Sequence, residues 1–193
     1  IAVIVAEGDI SVDGSGMSST EICKYFSDVR NNKDIKAVVF RVNSPGGSAL
    51  ASEEIWREVA LTNKTKPVVV SMGDLAASGG YYVSTAASRI FANPSTISGS
   101  IGVFGVIPYT GKMFENKLGI EFDYATTNSH SVFSLNKKLS DEELQITQEE
   151  VDNIYQLFLK RVADGRGMTV EEVHKIARGR VWTGEDALEK GLV

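Results

Sequence analysis

Ile1 to Ala6, Ile35 to Val42 and Pro67 to Met72 are short β-branched runs, apolar almost throughout, and each is followed by a stretch with helical signals. Runs of this kind suit strands covered on both faces of a sheet. The first connecting helix starts at Ser18-Ser-Thr-Glu21, with Ile22, Phe26 and Val29 as its apolar stripe; the second is predicted over Ala49 to Leu61. Strand, helix and strand in repeated alternation leave a largely parallel sheet as the natural solution, because parallel neighbours need a crossover connection.

Further along, a helix is predicted from near Ser78, short strands around Arg89 to Ala92 and Gly102 to Val106, a helix near Tyr109 to Leu118 and a strand at Ile120 to Tyr124. Thr126 to Lys138 is polar and irregular, which marks a loop. Ser140-Asp-Glu-Glu143 is a capping box that opens a long helix to about Ala163, with Leu144, Val151, Ile154, Leu157 and Phe158 expected inward and Gly165 and Gly167 expected to end it. Thr169-Val-Glu-Glu172 caps another helix, and a short last one is expected over Glu185 to Lys190. Residues 1–193 therefore read as one α/β domain, a largely parallel sheet layered with helices.

Composition excludes several functions. A net charge of -5 with Lys and Arg dispersed among acids offers no footprint for nucleic acid. No run approaches the roughly 20 apolar residues needed to cross a bilayer, so the chain as it stands is expected to be soluble. Cys23 has no cysteine to pair with, and Glu21-Ile-Cys-Lys-Tyr-Phe26 places it on a helix as a buried core thiol. No metal cluster, dinucleotide glycine pattern or phosphate-binding loop occurs, so no cofactor is implied. The chain opens inside a strand and stops at Gly191-Leu-Val193 without a polar tail, which reads as a domain excised from a longer protein.

The chemistry concentrates after two strands. Asn43-Ser-Pro-Gly-Gly-Ser48 lies between a strand and a helix, where open α/β sheets place their ligands, and its glycines allow main-chain N–H groups to face a reacting oxygen. Met72-Gly-Asp-Leu-Ala-Ala-Ser-Gly-Gly-Tyr81 repeats that arrangement and sets Ser78 at the start of a helix. Helix N–H groups and positive potential there favour charge developing when Ser78 attacks a carbonyl, with Gly79 as a donor. Read singly, the first segment is also a plain turn and Ser78 also a plain helix cap.

Asn43-Ser-Pro-Gly-Gly47, Ala76-Ala-Ser-Gly-Gly-Tyr-Tyr82, Ser98-Gly-Ser-Ile-Gly102 and Gly179-Arg-Val-Trp-Thr-Gly-Glu-Asp-Ala187 resemble, in order and over nearly the whole chain, the motifs of the signal peptide peptidase A (protease IV) family. The resemblance implies a crotonase/Clp-like fold, Ser78 as nucleophile, Gly79 and one of Gly46 or Gly47 as oxyanion donors, and Ser100 as the hydroxyl that holds a catalytic lysine. It also implies a membrane-anchored enzyme working on the extracytoplasmic side, cleaving remnant signal peptides and other small apolar or unfolded peptides, as a ring-like homo-oligomer.

The general base is the open question. His174 lies on a late helix, and His130 sits in the polar loop without an acid nearby. Short family members carry the lysine just after the His130 position, where this chain has Ser131; Lys137 and Lys138 follow later, beside the capping box. The long form has two tandem domains with the serine in the second and the lysine in the first. That form implies that this chain is the carboxy-terminal half, its dyad completed by the amino-terminal half. Two other readings stay open: acyl-CoA hydration or hydrolysis on the same fold, and a non-catalytic assembly module.

Overall fold

The computed structural model describes residues 1–14, 16–128 and 131–193. The chain separates into two compact units, Ile1–Val103 with Tyr155–Val193, and Phe104–Ile154.

The first unit is built on β1 (Ala2–Glu7), the two-residue strands β2 (Ile10–Ser11) and β3 (Met17–Ser18), α1 (Ser19–Asn31), β4 (Val38–Ser44), α2 (Ala49–Asn63), β5 (Val68–Ala77), α3 (Gly79–Ser84), β6 (Arg89–Phe91) and β7 (Ile97–Gly99). The main sheet runs β1-β4-β5-β7, all parallel, with β6 also paired to β5. Ser18 caps α1 by accepting from the Glu21 N–H, and Ser48 caps α2 by accepting from Ala51. Ile22, Phe26 and Val29 are buried as their spacing required, and Phe26 meets Phe40 of β4 edge to face with centroids 5.0 Å apart.

The sheet departs from expectation on one side. On β1, Ile4 and Ala6 are buried while Val3 is 64% and Val5 is 56% exposed. This edge strand is thus covered on one face, not on both as its unbroken apolar run suggested, since β-branched residues are favoured in strands whichever face they occupy.

The second unit carries α4 (Gly111–Leu118) and the first part of α5 (Asp141–Arg166). Neither Gly102 to Val106 nor Ile120 to Tyr124 forms a strand. The strand in that region is instead β7, which stops before Ser100, a residue with φ +48° that an extended ladder cannot accommodate. Residues 120–124 have strand-forming side chains without a neighbouring ladder to bond to.

Within α5 the buried residues are Phe158, Leu159, Val162 and Ala163; Leu144 is exposed, and Val151, Ile154 and Leu157 are half-buried. The helix also runs through Gly165, which was expected to stop it, and gives way at Gly167, where φ is +68°. Gly165 serves close packing: a Cβ there would lie 2.1 Å from the Thr85 carbonyl oxygen.

The chain closes with α6 (Val170–Ile176), β8 (Val181–Thr183) and α7 (Gly184–Glu189). Strand β8, too short to show a period in sequence, extends the main sheet antiparallel to β7. Among the described residues no helix is long and apolar enough to cross a membrane.

Candidate active site

Three neighbouring parallel strands end at the same edge of the sheet. Ser44 pairs with Ala76 across β4 and β5, and Ala77 pairs with Gly99 across β5 and β7. The residues that follow, Gly46 and Gly47, Ser78, and Ser100, therefore leave the sheet side by side.

Strand β5 reaches this level through a bulge. Val42 pairs with Met72 and Ser44 with Ala76, so two steps of β4 face four of β5. Asn43 holds the bulge, its Oδ1 accepting from the Leu75 N–H at 3.2 Å. Gly73 lies so close that a Cβ would sit 2.7 Å from the same oxygen. Thr96 adds a hydroxyl bond to the Gly73 carbonyl at 2.8 Å.

Ser78 leaves the bulged strand with φ +52° and ψ −119°, and its side chain makes no capping bond to α3. The plain cap reading thus fails for this serine. A non-glycine residue held there costs about 1–3 kcal/mol, which the surrounding structure must offset. Two main-chain bonds flank it: Ser78 N–H donates to Gly99 O at 2.9 Å, and Tyr82 N–H donates to Ser78 O at 2.9 Å.

The glycines meet directly. A Cβ on Gly46, where φ is +106°, would lie 2.6 Å from Gly79 N and 2.9 Å from Ser78 Cβ. One on Gly79 would strike Ser52 Oγ at 2.6 Å and approach Gly46 Cα at 3.2 Å. Strand β2 pins the turn from the other side: Ile10 N–H donates to Gly46 O and Ser48 N–H to Ile10 O, both at 2.8 Å. The Gly46 N–H is engaged by Ser44 Oγ at 3.1 Å.

Ser100 is half-buried, and its N–H donates to Arg180 O at 2.7 Å, tying the Ser98–Gly102 segment to the Gly179–Ala187 motif. The structure thus brings Gly46, Ser78 and Gly79 into contact, with Gly47 next along the turn and Ser100 one strand over.

Among the basic candidates, Lys137 and His174 have other partners. Lys137 Nζ pairs with Glu143 Oε1 at 2.7 Å, and this contact, with the Ser140 N–H, holds the Glu143 carboxyl down to about 2. Lys138 is exposed. The His174 ring bonds Tyr155 Oη through Nδ1 at 3.0 Å and accepts from Arg178 Nε through Nε2 at 3.2 Å, a packing role. His130 lies outside the described residues. Cys23 is half-buried on α1, its thiol pushed up to about 11 by burial and then by Glu58 and Glu54, as suits an inert thiol. No cluster of metal-ligating residues occurs among the described residues.

One group was not legible beforehand. Glu53 of α2 accepts from Tyr82 Oη and pairs with Arg161 of α5, whose guanidinium stacks 3.5 Å from the Trp56 ring centroid. Tyr82 stood out in the motif, but partners this distant in sequence carry no local signal.

A largely parallel sheet layered with helices is compatible with the Clp- and crotonase-like fold used by a class of serine peptidases. The profile of peptidase family S49 matches residues 60–193, and the chain belongs to that family. It is 46% identical to Protease 4 of Salmonella typhi over all of this chain and 32% of that protein. It is 38% identical to the chloroplastic serine protease SPPA of Arabidopsis thaliana over 97% of this chain and 28% of that protein. A putative signal peptide peptidase SppA of Enterococcus faecium is 38% identical over 86% of this chain and 48% of its own length. The chain spans about a third of the first two relatives.

Proposed function

We propose that this chain is the serine-bearing domain of an endopeptidase of the serine-lysine dyad type, with Ser78 as its nucleophile. The observation that carries the reading is the backbone of Ser78: a positive-φ serine that caps nothing, set against Gly46 and at the first turn of α3. Strain of this kind at a serine is hard to explain by packing and easily explained by the need to aim Oγ outward.

In the proposed reaction a neutral lysine amine takes the Ser78 hydroxyl proton as Oγ attacks the peptide carbonyl carbon. The oxygen of the resulting tetrahedral adduct accepts from the Gly79 N–H and from the Gly46–Gly47 turn. Between the two turn glycines, Gly47 is the better donor, because the Gly46 N–H already donates to Ser44 Oγ. The adduct collapses as the lysine returns its proton to the departing amine, leaving an acyl ester on Ser78. Water, deprotonated by the same amine, then hydrolyses the ester and frees Oγ.

Ser100 is read as the hydroxyl that orients the lysine. The lysine itself is assigned to a preceding domain of the same protein, since Lys137 is held by Glu143. Residues 1–193 would then be one protease domain, the carboxy-terminal half of a tandem-domain protein. The name of the Enterococcus faecium relative, a putative signal peptide peptidase, supports signal peptide remnants as substrates, and we extend the reading to other small apolar or unfolded peptides. In the full-length protein we place the domain on the extracytoplasmic face of the cell membrane, within a homo-oligomer. Large exposed apolar side chains, Phe104 at 85%, Val106 at 78% and Phe133 at 69%, are in keeping with assembly. Peptidase relatives favour this chemistry over acyl-CoA hydration on a related fold.

The test compares peptidase activity of this fragment with and without the preceding half, alongside Ser78→Ala and a Lys137→Ala/Lys138→Ala double variant. Activity restored only by the other half and abolished by Ser78→Ala is expected. Robust activity of the fragment alone that vanishes with the lysine pair would place the base within this chain.

A further inference from the structure

We infer that Glu53 is a positioning residue for Ser78, acting through Tyr82 and Arg161 on the short helix that the serine begins. The inference rests on Ser78 being the nucleophile.

Helix α3 spans only Gly79–Ser84, too few residues to hold its own position by internal hydrogen bonding. Its start lies against glycines and so carries few side-chain contacts of its own there. The strained Ser78 backbone relaxes unless both sides of it are held. On the strand side the hold is the Ser78 N–H bond to Gly99 O. On the helix side Ser78 O accepts from the N–H of Tyr82, and Tyr82 is the residue whose hydroxyl donates to Glu53 Oε2.

Glu53 is itself fixed from α5. Arg161 donates to both of its oxygens, Nη2 to Oε1 at 2.5 Å and Nε toward Oε2 at 3.4 Å, while stacking on Trp56 of the same helix as Glu53. Trp56 Nε1 donates to Thr85 Oγ1 at 2.9 Å, and that hydroxyl donates to Tyr82 O at 2.8 Å. The cluster therefore grips α3 at Tyr82 and at its carboxyl end, from two helices. Helix α3 is also packed through buried Tyr81, whose hydroxyl donates to Leu192 O at 2.9 Å, and through the Tyr82 ring on Phe158. Losing the Tyr82–Glu53 bond therefore shifts the helix slightly at Tyr82, and the first residue to feel that shift is the one whose O the Tyr82 N–H holds. Such a displacement alters the rate of attack more than it alters peptide binding.

The experiment uses the full-length protein with a peptide substrate, and kcat is expressed per site titrated by a serine-reactive phosphonate. Tyr82→Phe and Glu53→Ala are expected to lower kcat about ten-fold or more with KM within about two-fold, a misalignment effect. Glu53→Gln keeps an oxygen for Tyr82 Oη and is expected to recover to within about three-fold of the parent, which a general loss of folding would not produce. Parental kcat per titrated site in both Tyr82→Phe and Glu53→Ala, or a change confined to KM, would overturn the inference. Should Glu53→Ala fail to fold, Tyr82→Phe, which removes a single oxygen, decides alone. Activity surviving Ser78→Ala would instead refute the nucleophile assignment beneath it.

Discussion

The main-chain N–H of Ser78 donates to the carbonyl of Gly99 at 2.9 Å, joining the end of β5 to the end of β7 where the chain turns out of the sheet. That bond closes the last pairing of the parallel ladder, Ala77 with Gly99, and holds a serine at the sheet edge in a conformation it would not adopt alone.

Relief of this strain is measurable. Ser78→Gly removes the Cβ that makes φ +52° costly, a gain of about 1–3 kcal/mol against about 0.5–1 kcal/mol of added backbone entropy. A net gain near 1 kcal/mol corresponds to a Tm higher by about 2–4 °C. Ser78→Ala, which keeps the Cβ, should melt with the parent, and both variants should be inactive. Ser78→Gly melting below Ser78→Ala, as the added backbone entropy alone would produce, would show that the backbone there is not strained.

Gly165→Ala is expected to destabilise, against helix propensity. In an ordinary helix interior the change gains about 1 kcal/mol. Here the new methyl would lie 2.1 Å from the Thr85 carbonyl oxygen, and forcing α5 away from that segment should cost about 1–3 kcal/mol overall. Urea unfolding of the variant measures it; a raised midpoint would contradict the close approach.

Acid should remove one identified contribution to stability. The Glu143 carboxyl lies at about 2 in the folded chain against an ordinary 4.5, chiefly through Lys137 and then through the Ser140 N–H. Because the folded value is the lower one, the contribution is complete above the ordinary value and disappears as pH falls toward 2. Lys137→Ala should therefore unfold at lower urea than the parent at neutral pH, with the gap closing between about pH 4.5 and 2. A gap independent of pH would assign the lysine's effect to packing instead.

How far the sequence alone reached depended on the range of the forces involved. The stripe Ile22, Phe26, Val29 and the caps at Ser18 and Thr169 are local, set by side chains within a turn or two, and the structure carries them as read. That β1, β4 and β5 run parallel followed from the alternation of strand and helix, since parallel neighbours need a crossover. Glycine pairs after two strands marked where main chain had to come close to something.

Only the tertiary structure decided what those glycines approach: Gly46 meets Gly79, and Gly165 meets Thr85, because separate segments are brought to the same place by the sheet and its helices. It also decided that Val3 and Val5 stay uncovered, that residues 120–124 remain outside any sheet, and that Glu53 joins Tyr82 to Arg161. Hydrophobic period and β-branching are properties of a residue and its near neighbours, whereas a ladder partner, a covered face or an ion pair belongs to two segments at once. Nothing in either segment by itself specifies the other.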